Sequence, residues 1–361
     1  MKKYHILTYG CQMNKPDSER IAAVLEKANY KQSPALNKAD LVVLNVCSVR
    51  QSAVDRVYAK ITRLRQCYGG QRKIILTGCV LKTDKEKFSE LVDYILNIKD
   101  LAKWPEILQG SDPCKSCKSL QGSDPCKFRG CQTSLSYLKV KPQYQTFPIA
   151  YVPISFGCNN FCSYCCVPFT RGKEIHRSPI EIIKEIKLLV AKKYKRIILL
   201  GENVNSYPQF AHLLKKITAL EGGFAVSFLA ANPKNFTDEL INEIACNPKL
   251  EKYLHLPLQS GDNEILKKMR RPYTSQEYLR LVEKIKKKIP DVKIATDIIV
   301  GFPGETKKQF QNTVNLIKNV DPFKVYIAKY SPRAGTAAFY LKDNVPTEEK
   351  KKREKALRNL L

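Results

Sequence analysis

No stretch of this sequence is apolar for long enough to span a bilayer. The amino terminus, Met1-Lys2-Lys3-Tyr4-His5, leads straight into a short extended run. It lacks the apolar core and small-residue cleavage site of a secretory signal. These two absences place the protein in the cytosol and leave it no membrane partner. Acidic residues are scarce: 34 Asp and Glu stand against 62 Lys and Arg, a formal net charge of +28. A single-sign field of that size favours a polyanionic partner, with RNA the leading candidate, although a generally basic proteome would look the same. A disulfide framework is also missing. Thirteen cysteines is an odd number, and 361 residues are far more than a disulfide-stapled miniprotein needs. In a cytosolic chain such thiols argue for metal or redox chemistry. The lone Trp104 and Cys246 carry no functional reading.

What is present is a repeated alternation of strand and helix. Tyr4–Tyr9, Leu41–Val46 and Lys73–Thr77 read as strands, the second a continuous apolar run of the kind buried in parallel sheets. Asp17 can cap a helix with Ile21, Val24, Leu25 and Ala28 on its apolar face. A second helix carries Ala53, Val57, Ile61 and Leu64, and Phe88–Leu96 is expected to be helical. The first hundred residues are therefore expected to form an α/β domain with a parallel sheet. Cys11, Cys47 and Cys79 fall just beyond the ends of its three strands, where open parallel sheets line their ligand crevice. One such cysteine could be a small buried hydrophobe; three at successive strand ends point to a shared metal. Cys67, inside the second helix, reads as packing.

Residues 108–131 break the pattern. Leu108-Gln-Gly-Ser-Asp-Pro-Cys-Lys115 recurs as Leu120-Gln-Gly-Ser-Asp-Pro-Cys-Lys127, a stretch rich in turn-forming residues and so a linker or surface loop. Its Cys114, Cys117, Cys126 and Cys131 have spacing that could bind zinc, but a duplication would multiply cysteines without any metal.

From about Pro148 the alternation resumes. Ile149–Phe156, Arg196–Leu200, Phe224–Leu229, Tyr253–Leu258, Val292–Val300 and Lys324–Lys329 are the strand candidates. Six βα units are fewer than a closed eight-stranded barrel requires, so a partial (β/α)6 TIM-like barrel, open along one side, is expected. After its first strand comes Gly157, then Cys-Asn-Asn-Phe-Cys-Ser-Tyr-Cys over 158–165. Cys158, Cys162 and Cys165 supply three ligands where a cubane cluster has four irons, leaving one iron open. Cys166 breaks the spacing. Arg171 and Arg177 could hold phosphate or carboxylate bidentately, or could merely brace the loop. Gly201-Glu-Asn-Val-Asn-Ser-Tyr207 follows the second strand, and Asp297-Ile-Ile-Val-Gly-Phe-Pro-Gly-Glu305 spans the fifth and its exit. Gly201, Gly301 and Gly304 permit tight turns or close backbone approach, and Glu305 opens the next helix. His255, inside a strand, reads as a core histidine.

These residues together resemble the radical S-adenosylmethionine (SAM) methylthiotransferases, over most of the chain. The carriers are Thr8-Tyr-Gly-Cys-Gln-Met-Asn14, Asn45-Val-Cys-Ser-Val-Arg50, Thr77-Gly-Cys79, the Cys-x3-Cys-x2-Cys loop, Leu254-His-Leu-Pro-Leu-Gln-Ser-Gly261 and Tyr330-Ser-Pro-Arg-Ala-Gly-Thr336. Cys-Gln-Met-Asn, Cys-Ser-Val-Arg and Asn203-Val-Asn-Ser-Tyr are most similar to the MiaB branch. The branch acting on threonylcarbamoyl-adenosine is the nearest rival, and the branch acting on a ribosomal protein matches less well around Cys47. Val46, Glu202 and His176 depart from the family's usual Thr, Gln and Ser.

The resemblance implies two [4Fe–4S] clusters, one on Cys158, Cys162 and Cys165 and an auxiliary one on Cys11, Cys47 and Cys79. It implies S-adenosylmethionine near Tyr164, Gly201, Asn203, Gln259 and Asp297, with substrate at Arg171 and Arg177. It also implies methylthiolation at C2 of N6-isopentenyl-adenosine, position 37 of a tRNA anticodon loop, and an electron donor such as flavodoxin or ferredoxin. A monomer is expected, and a metal-dependent RNA-binding module is the non-enzymatic alternative. The expected organisation is an amino-terminal domain over 1–105, a linker over 106–145, the radical SAM core over 146–340 and a basic helix over 341–361. That helix would lead to the family's small RNA-binding barrel, TRAM, before which the chain stops.

Overall fold

The computed structural model describes residues 1–48, 51–109 and 137–360. The cysteines of the duplicated segment, with Val49 and Arg50, lie outside those residues. The chain divides into two compact units, Met1–Gln145 and Thr146–Leu361.

The first unit is built on five strands: β1 (Lys3–Thr8), β2 (Lys31–Gln32), β3 (Leu41–Cys47), β4 (Lys73–Cys79) and β5 (Tyr94–Ile95). They pair in the order β2-β1-β3-β4-β5, all parallel. This is the flavodoxin-like doubly wound order, whose topological switch point lies between β1 and β3. The apolar run of β3 is buried along almost its whole length because helices cover both faces of the sheet. The helix Gln51–Tyr68 contributes Val54, Val57, Ile61 and Leu64 to that core at the i, i+3, i+7, i+10 spacing of one face.

Two expectations for this unit fail. Residues 88–96 are not one helix: a short helix, Lys82–Phe88, ends there, and Tyr94–Ile95 adds an edge strand. The Asp93 carboxylate accepts from the Ile74 N–H at 2.7 Å and from Arg65 at 2.7 Å, which turns the chain back alongside β4. Cys67 is exposed rather than packed, since the buried stripe of its helix ends at Leu64.

The second unit carries six parallel strands: β6 (Ile149–Pro153), β9 (Arg196–Leu200), β10 (Ala225–Phe228), β11 (Tyr253–His255), β12 (Lys293–Val300) and β13 (Lys324–Lys329). Between the first two lie β7 (Ser155–Phe156) and β8 (Ile175–His176), a small antiparallel pair. The six form two sheets, β10-β9-β6 and β11-β12-β13. A parallel bridge between Val226 and Leu250 joins them. Among the described residues β13 does not pair with β6, so the arc stays open. Every strand of the arc points the same way, so the segments after β9, β10, β11, β12 and β13 share one edge with the cysteine loop.

The terminal basic helix, Thr347–Arg358, belongs to this unit. Lys350, Arg353 and Leu357 are buried. Arg353 Nη1 donates to Glu305 Oε2 at 2.7 Å, and the same carboxylate oxygen accepts the Gly301 N–H at 2.6 Å. Glu305 is thus an anchor for this helix, not a free ligand. Burial raises its pKa, opposed by the Gly301 and Arg353 hydrogen bonds. No helix among the described residues is long and apolar enough to cross a membrane.

Candidate metal and cofactor sites

In the first unit the switch point collects the three thiols. Cys47 and Cys79 close β3 and β4 and are register partners, while Cys11 sits on the turn after β1. Cys47 hydrogen-bonds both Cys11 and Cys79, and these contacts, ahead of burial, push its thiol pKa well above the ordinary value. The approach depends on glycine. Gly10 has φ +122°, and a Cβ there would stand 2.4 Å from the Cys47 Cβ; Gly78 has φ +99°, and its Cβ would stand 2.3 Å from the Val46 carbonyl. Cys11 is exposed, Cys47 half-buried and Cys79 buried, so the group opens to one side.

Two buried asparagines of the sequence motifs fix the thiol-bearing turns. Asn14 Nδ2 donates to Asn45 Oδ1 at 3.1 Å, and Asn45 Nδ2 returns to the Asn14 carbonyl at 2.8 Å. Asn14 Oδ1 also accepts from Cys11 Sγ at 3.5 Å. Replacing Asn45 with Ala leaves buried polar groups unpaired, at a cost of about 2 kcal/mol. Urea melts of the apoprotein should show that loss together with looser iron retention in this unit only.

In the second unit the cysteine loop is pinned at several points. Cys158 N–H donates to the Gly172 carbonyl at 3.2 Å and Cys165 N–H to that of Cys162 at 3.0 Å. Ser163 donates from N to the Met269 carbonyl at 3.1 Å and from Oγ to that of Lys268 at 2.7 Å. Burial pushes the Cys158 thiol up to about 12, against the pull of the Asn160 N–H, which donates to its sulfur at 3.4 Å. Burial likewise raises Cys165. Neutral thiols tolerate such sites, and iron would take the place of their protons. No group of three or more His, Cys, Asp or Glu among the described residues is gathered around a single point where one metal ion would sit. A cubane asks less of its ligands in this respect, because each thiolate takes a different iron at a different corner.

Of the expected cofactor contacts, Tyr164, Gly201, Asn203 and Gln259 follow strand ends on the same edge, and Asp297 lies within β12. Gly201 follows β9, and a Cβ there would meet Ser155 Oγ at 2.4 Å. The buried Ser155 Oγ and Asn203 Oδ1 have no hydrogen-bond partner among the described residues, as expected of groups that wait for a ligand. Gln259 has φ +78° and is held between the Asp297 carbonyl and the Ile299 N–H. His255 Nε2 lies 2.7 Å from Asp297 Oδ2, so the half-buried His255 stands against that carboxylate. Tyr164 packs against Ile265, Met269, Phe302, Tyr330 and Ala338.

Arg171 and Arg177, expected to hold substrate, are buried instead. Arg171 Nε meets Glu202 Oε1 at 3.0 Å and Arg177 Nη2 meets Glu185 Oε2 at 2.5 Å. Glu202 Oε2 also accepts the Gly157 N–H at 3.1 Å, which ties the loop after β9 to the start of the cysteine loop. Desolvating an Arg is tolerable only with such a counter-ion, so both brace the site from within.

Arg271 was not legible as a site residue. Its Nη1 donates to Cys162 Sγ at 3.3 Å and its Nε to the Tyr273 hydroxyl at 2.8 Å. The only local signal is an arginine doublet before Pro272, just past a helix end.

Residues 152–317 match the family model of the radical SAM superfamily, and residues 3–97 match that of uncharacterized protein family UPF0004. The tRNA-2-methylthio-N(6)-dimethylallyladenosine synthase of Carboxydothermus hydrogenoformans is 40% identical over 367 residues, covering 98% of this chain and 81% of that protein. Its namesake in Thermoanaerobacter pseudethanolicus is 40% identical over 365 residues, covering 97% and 76%. The chain belongs to the radical SAM methylthiotransferases. As a member of that family it is an enzyme that uses S-adenosylmethionine and iron–sulfur clusters. Among solved structures, the radical SAM methyltransferase TsrM of Kitasatospora setae aligns with a TM-score of 0.64 at 14% identity, covering 94% of this chain and 77% of that one. At that identity the likeness concerns the fold, and it extends through both units of this methylthiotransferase.

Proposed function

We propose that this methylthiotransferase acts on tRNA, introducing sulfur and a methyl group at C2 of N6-isopentenyl-adenosine at position 37, beside the anticodon. The observation that carries the reading is the pair of cysteine triads. One stands at the switch point of a doubly wound sheet and the other at the carboxyl edge of a barrel arc, in a chain 40% identical to named tRNA-2-methylthio-N(6)-dimethylallyladenosine synthases. The charge of +28 suits an RNA substrate.

Cys158, Cys162 and Cys165 would hold one [4Fe–4S] cluster with an iron free for S-adenosylmethionine, and Cys11, Cys47 and Cys79 would hold the auxiliary cluster. Once bound, these groups supply the radical and the sulfur; the hard chemistry is theirs. The protein's own residues place and shield them. Glu202 with Arg171 locks the loop that carries Gly157, Ser163 staples the loop's centre, and Ser155 and Asn203 offer polar atoms to the cofactor. The target adenine must leave its stack to reach that edge. We further infer a cytoplasmic monomer reduced by a flavodoxin or ferredoxin.

Mass spectrometry of tRNA nucleosides from cells with and without the gene tests the reading. Loss of the 2-methylthio group from isopentenyl-adenosine alone is expected. Loss confined to threonylcarbamoyl-adenosine, or to a ribosomal protein, would assign the chain to the corresponding rival branch.

Arg271 makes a second expectation. Hydrogen bonds to cluster sulfurs raise reduction potentials by favouring the more negative, reduced form. Arg271→Met should therefore move the potential of the cluster on Cys162 to a more negative value, with the other cluster unchanged. An electron-paramagnetic-resonance-monitored titration of the reconstituted protein reads both.

A further inference from the structure

Exposed groups gather around the cysteine loop. Phe161 lies between Cys158 and Cys162, and Phe169 lies on the short helix Val167–Arg171 that follows. Each is 56% exposed, and the two rings meet edge to face with centroids 6.4 Å apart. Isolated surface phenylalanines need no explanation, but a contiguous pair beside a catalytic loop does. Phe161 also borders a cavity of about 340 Å³ whose lining includes Cys162, Asn160, Asn235, Lys234 and Arg270. Lys234 and Arg270 have no ion pair among the described residues, and both are exposed.

Arg270 is out of place by ordinary backbone rules. It follows the helix Asn263–Lys268 with φ +56°. Its N–H donates to the Lys267 carbonyl and the Arg271 N–H to that of Leu266, each at 2.9 Å. That is a Schellman ending, whose left-handed position is normally glycine. An arginine held there keeps strain that glycine would relieve, and such strain clusters at functional sites. The turn points two neighbouring arginines to different tasks: Arg271 reaches the Cys162 sulfur, and Arg270 lines the cavity.

We propose that this patch is a stacking platform for an unpaired RNA base adjoining the target adenine. The Phe161–Phe169 pair receives the base face, Asn160 and Asn235 read its edge, and Lys234 and Arg270 hold the flanking phosphates. Single-stranded RNA is recognised by just this mixture of aromatic faces, amides and cations. Extruding the target base also strips its neighbour of a stacking partner, which the phenylalanine pair replaces. The proposal rests on the tRNA reading and commits to the loop nucleotides beside the modified one.

The test is binding of a synthetic anticodon stem-loop RNA to the reconstituted full chain, followed by fluorescence anisotropy across a salt series. Phe161→Leu with Phe169→Leu should weaken binding about tenfold and leave the salt slope unchanged, because stacking is not electrostatic. Lys234→Gln with Arg270→Gln should reduce the slope by about 1.4, since each single-strand phosphate that is no longer neutralised removes roughly 0.7. Arg270→Gly separates recognition from folding. It should raise the melting temperature, since glycine suits the left-handed position, and still weaken RNA binding. Wild-type affinity and slope in all these variants, each with full iron content, would overturn the platform while leaving the tRNA reading intact. Failure of the unmodified protein to bind the stem-loop would overturn both.

Discussion

Cys158→Ala should abolish reductive cleavage of S-adenosylmethionine and remove one cluster, and Cys47→Ala should remove the other while cleavage persists. The separation follows from the architecture. Each triad sits in a unit with its own sheet and its own contacts, so losing a ligand in one leaves the other folded. A cubane held by three thiolates does not survive on two, whereas the second triad keeps all of its own. The Cys47 variant should therefore still form methionine and deoxyadenosine from S-adenosylmethionine but give no methylthiolated product. Iron and acid-labile sulfide per chain after anaerobic reconstitution, read beside the cleavage assay, check both arms. A single cluster that survives both substitutions would refute the assignment of the two triads.

Gly157→Ala should cost about 2–5 kcal/mol and expel the first of these clusters. The residue has φ +84°, and an added Cβ would stand 2.3 Å from the Lys173 carbonyl oxygen and 2.6 Å from that of Gly172. Both obstacles are backbone. Neither can retreat cheaply, because the Gly172 carbonyl accepts the Cys158 N–H and the Gly157 N–H is held by Glu202. Left-handed strain contributes about 1–2 kcal/mol and overpacking about 1–3 kcal/mol or more. Gly335→Ala is the control: φ is +85°, but nothing lies within 4 Å of the new Cβ, so only the strain remains. Denaturant melts of the two apoproteins give the difference. Iron retention on reconstitution should fall for Gly157→Ala and hold for Gly335→Ala.

Much of this was readable along the chain, because strand ends and cysteine spacings are local. The apolar run Leu41–Val46 announces a buried parallel strand, and Cys47 at its end inherits a place at the sheet's carboxyl edge. The six barrel strands follow from the same signal, and their number implies an open arc. Residues 88–96 misled because Tyr94–Ile95 is a strand only where Asp93 turns the chain onto β4, a contact with Ile74 that periodicity does not carry. The fates of the arginines were equally hidden. Arg171 and Arg177 look like anion ligands in a loop, and burial beside Glu202 and Glu185 makes them braces. Arg271, 109 residues from Cys162, becomes that sulfur's hydrogen-bond donor.

The sequence by itself therefore determined the two triads, the α/β class and the family, since each is written in short-range pattern. Only the tertiary structure decided which charges meet, which are spent inside, and which remain free at the surface. A charge must be desolvated and paired to be buried, and its partner is set by how distant strands and helices pack.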